Sequence, residues 1–124
     1  MLKENEILLY LINHSRYGVP FYLTFKENIA NDLETEGYVQ GEFYNFTDKA
    51  KTLLDNYYYQ NKDRVIGILK VFDTSFSYET MCSRLSLSPE DLRGKYLIER
   101  LAEDNIISIS ASTNWQDRIK ILFN

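Results

Sequence analysis

The most constraining feature of the sequence is the stretch from Leu87 to Ser110, LSPEDLRGKYLIERLAEDNIISIS. Its SPED segment is typical of a helix start: the Ser88 hydroxyl can cap free amides, proline fits the first turn, and carboxylates favour the positive end of the helix dipole. About four helical turns follow, and beyond Asn105 apolar and polar residues alternate as in a strand. The stretch therefore predicts a helix over Pro89–Asp104 that leads directly into a strand.

The residues around this stretch complete an ordered series of elements. NKDRVIGILKVF (61–72) has apolar residues at helical spacing, and SYETMCSRL (77–85) predicts a short helix joined to the long one by a tight turn. IISISA (106–111) and RIKILF (118–123) alternate on either side of a polar turn, which predicts a β-hairpin. The second half of the chain is thus expected to run helix, helix, turn, helix, hairpin.

The first half repeats this order in a shorter form. ENEILLYLINHS (4–15) predicts an amphipathic helix, and TFKENIANDLETEGY (24–38) predicts a second helix that ends at Gly37, a residue suited to a left-handed C-cap. YVQGEFYNF then predicts a hairpin around Gly41, followed by a closing helix, TDKAKTLLDNYYY, capped by Thr47.

The charges divide unevenly between the two halves. Residues 1–60 hold five basic and nine acidic residues and so carry the whole net charge of -4, whereas residues 61–124 hold nine of each sign. We therefore predict two domains, an acidic one over 1–60 and a charge-neutral one over 61–124, joined near residues 57–62. A single larger domain with extra elements is the alternative.

Two stretches resemble the winged helix-turn-helix superfamily: IANDLETEGYVQGEFYNFTDKAKTLL and MCSRLSLSPEDLRGKYLIERLAEDNIISIS. They are similar to the recognition helix, wing and neighbouring helices of that superfamily, and together they cover most of the chain. The resemblance implies an α+β fold made of tandem winged helix-turn-helix units, mostly helical with short β-hairpin wings. The first unit lacks a clear second helix, and in the second unit Asn105 stands where a glycine is common.

The resemblance implies that the second unit binds double-stranded DNA, with the long helix in the major groove and the wing on the backbone. The candidate DNA-binding residues lie on the turn, the helix and the wing: Arg84, Ser88, Arg93, Lys95, Asn114, Arg118 and Lys120. Glu90 and Asp91 oppose this function, because their carboxylates would repel phosphates. Such a protein would be a small transcriptional regulator, and it would act as a dimer because one small neutral unit makes few phosphate contacts.

The alternative function is a protein-interaction adaptor or inhibitor that does not bind DNA. The acidic first unit lacks the cations that phosphate contacts require. Tyr57 and Tyr58 in NYYYQ, and Trp115 in the wing, are candidate partner contacts because aromatic residues are favoured at interfaces. Packing between the two units would also explain the tyrosines, and packing on its own hairpin would explain Trp115. The many Asn, Lys, Ile and Tyr residues suggest an AT-rich genome, such as that of a phage.

The sequence contains no motif typical of an enzyme, of a metal-binding protein or of a membrane protein. His14 and Cys82 are the only residues of their kinds, and no metal-ligand cluster, phosphate loop or nucleophile motif accompanies them. We therefore predict no catalysis, no cofactor and no small-molecule substrate. A single cysteine fits a reducing compartment, and no run approaches the ~18 apolar residues of a membrane span, so we expect a cytoplasmic protein without a membrane partner.

Overall fold

The structure is a computed structural model that describes residues 3–14, 29–42, 44–71, 75–76, 78–109 and 119–123. Of residues 30, 75, 76, 109 and 119–123 it describes the backbone alone. The chain divides into two compact units, Met1–Tyr57 and Tyr58–Asn124. The described residues are mostly helical with two small antiparallel sheets, which is an α+β architecture. None of the helices within those ranges is long and apolar enough to cross a bilayer.

The first unit begins with helix α1 (Glu4–Ile12), whose predicted apolar stripe is buried. Helix α2 (Ile29–Thr35) precedes a hairpin of strand β1 (Val39–Gln40) and strand β2 (Asn45–Phe46). Val39 lies opposite Phe46 in this antiparallel pair, and the connecting turn begins at Gly41, whose φ is 79°. The predicted hairpin around Gly41 is therefore confirmed.

The C-terminal end of helix α2 closes at Gly37, as the sequence predicts. The φ of Gly37 is 87°, a left-handed conformation that glycine adopts without steric cost. The amide of Tyr38 donates to the carbonyl of Leu33 at 2.8 Å, and the amide of Gly37 donates to that of Glu34 at 3.1 Å. These two bonds form a Schellman motif, which satisfies carbonyls that the helix end would otherwise leave unpaired.

Helix α3 (Asp48–Val71) is one helix of 24 residues. Its first turn is capped by Thr47, as predicted, since the amide of Ala50 donates to the Thr47 hydroxyl at 3.4 Å. The sequence predicts separate helices over 47–59 and 61–72. That separation is wrong, because the residues between them include neither glycine nor proline and the buried stripe runs through the segment. The members of this stripe are Ala50, Leu54, Tyr58, Val65 and Leu69.

The second unit continues after helix α3 with strand β3 (Ser75–Phe76), helix α4 (Tyr78–Arg84) and helix α5 (Leu92–Glu103). Strand β4 (Ile107–Ile109) and strand β5 (Ile119–Phe123) complete it. The three strands form an antiparallel sheet in the order β3-β5-β4. The predicted hairpin of β4 and β5 is confirmed, and β3, which the sequence does not predict, adds a third strand against β5.

Helix α5 starts three residues later than the sequence predicts. Its N-cap is Asp91, whose carboxylate accepts the amide of Arg93 at 3.0 Å, and Pro89 and Glu90 form a turn before it. The prediction of Ser88 as N-cap and of a continuous helix over Pro89–Asp104 is therefore wrong. The physical reason is competition between two capping residues: the Ser88 hydroxyl bonds to Glu90, which leaves the Asp91 carboxylate to accept from the helix.

Helices α4 and α5 end in the same closure as α2 but without a glycine. Ser86 and Asn105 both adopt a φ of 60°. The amide of Leu87 donates to the carbonyl of Cys82 at 2.8 Å, and the amide of Ile106 donates to that of Leu101 at 3.0 Å. Ser86 and Asn105 thus adopt a left-handed conformation. For a residue with a side chain this conformation costs about 1–2 kcal/mol, and for asparagine it costs less.

Helix α3 supplies a cation to the C-terminal end of a shorter helix in each unit. In the first unit the ammonium of Lys49 donates to the carbonyl of Glu36, just past α2, at 2.6 Å. In the second unit Nη2 of Arg64 donates to the carbonyl of Arg84, the last residue of α4, at 2.7 Å. Both cations lie at the negative end of a helix dipole, where positive charge is stabilising.

Candidate recognition surface

The candidate recognition surface of the second unit comprises the end of helix α4, the turn over residues 85–91 and the first two turns of helix α5. Four of the predicted DNA-binding residues lie on this segment: Arg84, Ser88, Arg93 and Lys95. Arg84 and Ser88 are exposed, whereas Arg93 and Lys95 are half-buried. The geometry around each of them decides whether the surface can bind phosphates.

The guanidinium of Arg93 is held by the carboxylate of Asp91. Nη2 lies 2.7 Å from Oδ2, and Nε donates to both carboxylate oxygens at 3.1 and 3.2 Å. The two side chains are only 18% and 14% exposed. Because the same carboxylate caps helix α5, its position is fixed by the backbone and the guanidinium is fixed with it. The positive charge of Arg93 is therefore neutralised beside the helix start.

The other two cations of helix α5 also have partners within the second unit. The ammonium of Lys95 lies 3.8 Å from Oε1 of Glu99, one turn along the helix. The guanidinium of Arg100 lies 4.4 Å from the ring centroid of Tyr58, and its Nη1 donates to the hydroxyl of Tyr96 at 2.6 Å. Each of the three cations of this helix is thus engaged intramolecularly.

The exposed front of the turn carries an anion. The Ser88 hydroxyl donates to the carboxylate of Glu90 and accepts the Glu90 amide at 3.3 Å. The hydrogen bond from Ser88 holds the pKa of Glu90 below its usual range, so the carboxylate is ionised at neutral pH. Between residues 84 and 99 there are three basic and three acidic side chains, which leaves the surface without net charge.

Tyr58, a predicted partner contact, belongs to the core of the second unit. Its side chain is 0% exposed, and its hydroxyl donates to Oδ2 of Asp104 at 2.7 Å. Burial, and then the hydrogen bond with Asp104, raises the pKa of Tyr58 far above its ordinary value. The prediction that Tyr58 contacts a partner is wrong, because this residue shares the buried face of helix α3 with Val65 and Leu69.

The neighbours of Tyr58 differ in exposure. Tyr57 is half-buried, and Tyr59 is 62% exposed, the most exposed aromatic side chain among the described residues. Sequence reasoning missed Tyr59 because three consecutive tyrosines look alike until the helical phase is known. Once helix α3 is continuous, a 100° step per residue assigns one tyrosine to the core and the next to the surface.

The wing of the predicted site falls mostly outside the described residues. Asn114, Trp115 and Arg118 lie there, so their roles stay predictions. Lys120 lies in strand β5 with its backbone opposite Ser75, and its side chain is not described. Across the part of the chain that the structure describes, no group of three or more His, Cys, Asp and Glu residues is placed to hold a metal ion. Cys82 is buried in the core of the second unit.

No protein-family model, curated protein or solved structure matches this chain. The resemblance to winged-helix proteins therefore stays a prediction from the sequence.

Proposed function

We propose that this chain is a protein-interaction adaptor built from two winged-helix-like units, and that its candidate recognition surface contacts a partner protein. One observation carries the proposal: all three cations of helix α5 are engaged within their own unit. Arg93 is bound to Asp91, Lys95 lies near Glu99, and Arg100 contacts Tyr58 and Tyr96.

The charge balance of the surface argues against DNA as the principal ligand. Affinity for DNA comes largely from cations that displace condensed counterions, about one for each phosphate contacted. The surface holds as many carboxylates as cations, so it provides no net gain of this kind. For Arg93 to reach a phosphate it would have to leave Asp91, and that carboxylate would then face the phosphates unpaired.

The exposed groups of the surface suit a polar contact with a protein. Ser86 and Ser88 present hydroxyls, Glu90 presents an ionised carboxylate, and Arg84 contributes a cation at the end of helix α4. The rim of a protein–protein interface is polar, and about one hydrogen bond forms there per 100–200 Å², which these side chains can supply.

The order of elements supports the winged-helix part of the proposal for the second unit. Helix α3 is followed by strand β3, helix α4, a turn, helix α5 and a hairpin, and the hairpin pairs with β3 in the order β3-β5-β4. A three-stranded sheet closing a helical core is the arrangement expected of such a unit. In the first unit, α1, α2 and the β1-β2 hairpin have the expected order, and residues 15–28 lie outside the description.

A DNA titration tests the negative half of the proposal. The chain should bind mixed double-stranded DNA no more tightly than about 10⁻⁴ M at about 50 mM salt, the weak end of non-specific binding. Replacing Arg93 and Lys95 with alanine should leave this binding unchanged, which fluorescence anisotropy of labelled DNA would show.

Affinity capture with a charge-swapped surface tests the positive half. A partner should bind the wild type and be lost with Arg84→Glu combined with Glu90→Lys, a pair of changes that preserves net charge. A matched control is Glu42→Lys combined with Lys51→Glu, which swaps two exposed charges of the first unit. Equal capture by both double variants would remove the surface from the proposal.

The second candidate function is a DNA-binding transcriptional regulator, which the element order of the second unit favours because helix-turn-helix units commonly place such a helix in the major groove. In that case binding would be micromolar or tighter at about 50 mM salt and would fall steeply by about 200 mM. Binding of that strength that weakens in Arg93→Ala and Lys95→Ala would replace the adaptor proposal with this one.

A further inference from the structure

Helix α3 carries an outward stripe that the recognition surface does not use. We define the α3 stripe as the residues of one helical face from Asp55 to Lys70: Asp55, Tyr59, Lys62, Asp63, Ile66 and Lys70. Spacings of three and four residues place them on one side of the helix. Asp55, Tyr59, Asp63 and Lys70 are exposed, and Lys62 and Ile66 are half-buried. An exposed tyrosine and an accessible isoleucine thus lie between an acidic end and a basic end.

The order of residues along the α3 stripe makes it complementary to itself when reversed. If a second copy of helix α3 lies antiparallel, centred between Lys62 and Asp63, then Asp55 faces Lys70 and Tyr59 faces Ile66. Near the axis Lys62 faces Asp63. Every facing pair occurs twice by symmetry, and each is either oppositely charged or apolar. A parallel arrangement would instead place Asp55, Asp63 and Lys70 each opposite its own copy, which like-charge repulsion disfavours.

Gly67 provides room for this contact. A Cβ atom added there would meet no atom within 4 Å, so the helix surface beside Ile66 is open. In the antiparallel arrangement this opening lies where the Tyr59 ring of the second copy arrives. Packing an aromatic ring against an aliphatic side chain removes apolar area from water, which favours the contact.

From this self-complementarity we propose that a second copy of this chain docks antiparallel on the α3 stripe. The proposal concerns a different surface from the one assigned to a partner protein, so either can fail without the other. The stripe extends along only about 23 Å of helix. A contact of that size falls below a standard stable interface, so the homodimer should be weak, with a dissociation constant on the order of 10–100 µM.

Reversing one charge at a time tests the pairing. Sedimentation velocity over a concentration series should show a monomer–dimer equilibrium for the wild type. Asp55→Lys and Lys70→Asp should each weaken dimerisation by about tenfold, because each turns two attractive pairs into two repulsive ones. Gln60→Lys is the matched control: it is exposed on the same helix, about 100° from Tyr59, and should leave the equilibrium unchanged.

Mixing the two reversed variants separates a specific pairing from a loss of fold. In an equimolar mixture, the Asp55→Lys chain has cations at both ends of its stripe, and the Lys70→Asp chain has carboxylates at both ends. Every facing pair between the two chains is therefore attractive again, and a heterodimer should form with near wild-type affinity. Circular dichroism of each variant alone would establish that it is folded. A chain that stays monomeric at several hundred micromolar (well above the expected constant), reversals without effect, or a folded mixture that does not associate would each overturn the proposal.

Discussion

Replacing Gly94 with alanine tests how closely helices α4 and α5 pack. A Cβ atom at Gly94 would lie 2.9 Å from Oη of Tyr78 and 3.2 Å from Sγ of Cys82. Tyr78 is 2% exposed and Cys82 is 0% exposed, so neither can move aside without disturbing the core. Alanine gains about 1 kcal/mol of helix propensity, whereas overpacking a filled core costs about 1–3 kcal/mol. We expect a net loss of about 1 kcal/mol in the free energy of unfolding.

The matched control is Gly67→Ala on helix α3. The methyl group there meets nothing within 4 Å, so the gain in helix propensity is not opposed and the variant should be stabilised by about 1 kcal/mol. The two variants should therefore differ by about 2 kcal/mol in urea unfolding followed by far-UV circular dichroism. The measurements belong at low micromolar concentration, where dimerisation through the α3 stripe is negligible. If Gly94→Ala is as stable as Gly67→Ala, the helices are further apart than the structure shows.

Four further substitutions test the helix ends and the buried tyrosine. Asp91→Ala should cost about 1–2 kcal/mol in thermal or urea unfolding, because it removes the cap of helix α5 and leaves Arg93 without its carboxylate; a cost below about 0.5 kcal/mol would contradict the assigned cap. Ser86→Gly should stabilise by about 1 kcal/mol, and Asn105→Gly by less, since both relieve a left-handed residue with a side chain. Loss of stability in either variant would argue against the positive φ. Because the folded-state pKa of Tyr58 is raised, its contribution to stability is present below about pH 10 and is lost as the pH rises further. Wild type should therefore lose stability between about pH 9 and 11 more steeply than Tyr58→Phe, and parallel curves would refute the raised pKa.

Much of the local structure is predictable because local signals decide it. The stripe of α1, the hairpin at Gly41, the Gly37 closure and the Thr47 cap all follow from residue spacing or from a single conformational requirement. Glycine at positions 37 and 41 meets a positive φ that a residue with a side chain adopts only at a cost, so local preference and structure agree there.

The predictions from sequence are wrong where two residues compete for the same position, or where a residue distant in sequence determines the local structure. Both Ser88 and Asp91 can cap helix α5, and the bond between Ser88 and Glu90 settles the choice. Strand β3 is only two residues long, which is too short for an alternating pattern to be recognised in the sequence. It forms because it pairs with β5, which lies more than 40 residues further along the chain. Helix α3 is continuous through residues 57–62 because the same face is buried before and after this segment. That burial is not evident from composition alone.

In the candidate recognition surface, too, the positions of residues are predictable from the sequence and the pairing of their side chains is not. Sequence placed Arg84, Ser88, Arg93 and Lys95 on one segment, and the structure confirms that they lie there. It did not predict that the Asp91 carboxylate would hold the Arg93 guanidinium, because a side chain two residues away has several rotamers available. The charge balance of the surface can be read from the sequence, whereas the pairing of Arg93 with Asp91 depends on side-chain conformation.

The continuity of helix α3 limits how the chain can be dissected. The boundary between the compact units falls inside this helix, between Tyr57 and Tyr58, so a cut there would create two fragments with frayed ends and exposed backbone groups. Each fragment would retain a piece of helix α3 near or below the length at which an isolated helix is stable. Each would also lose part of the helix that positions its capping cation, Lys49 or Arg64. We expect the intact chain to melt in one cooperative step, with neither half surviving proteolysis at that junction.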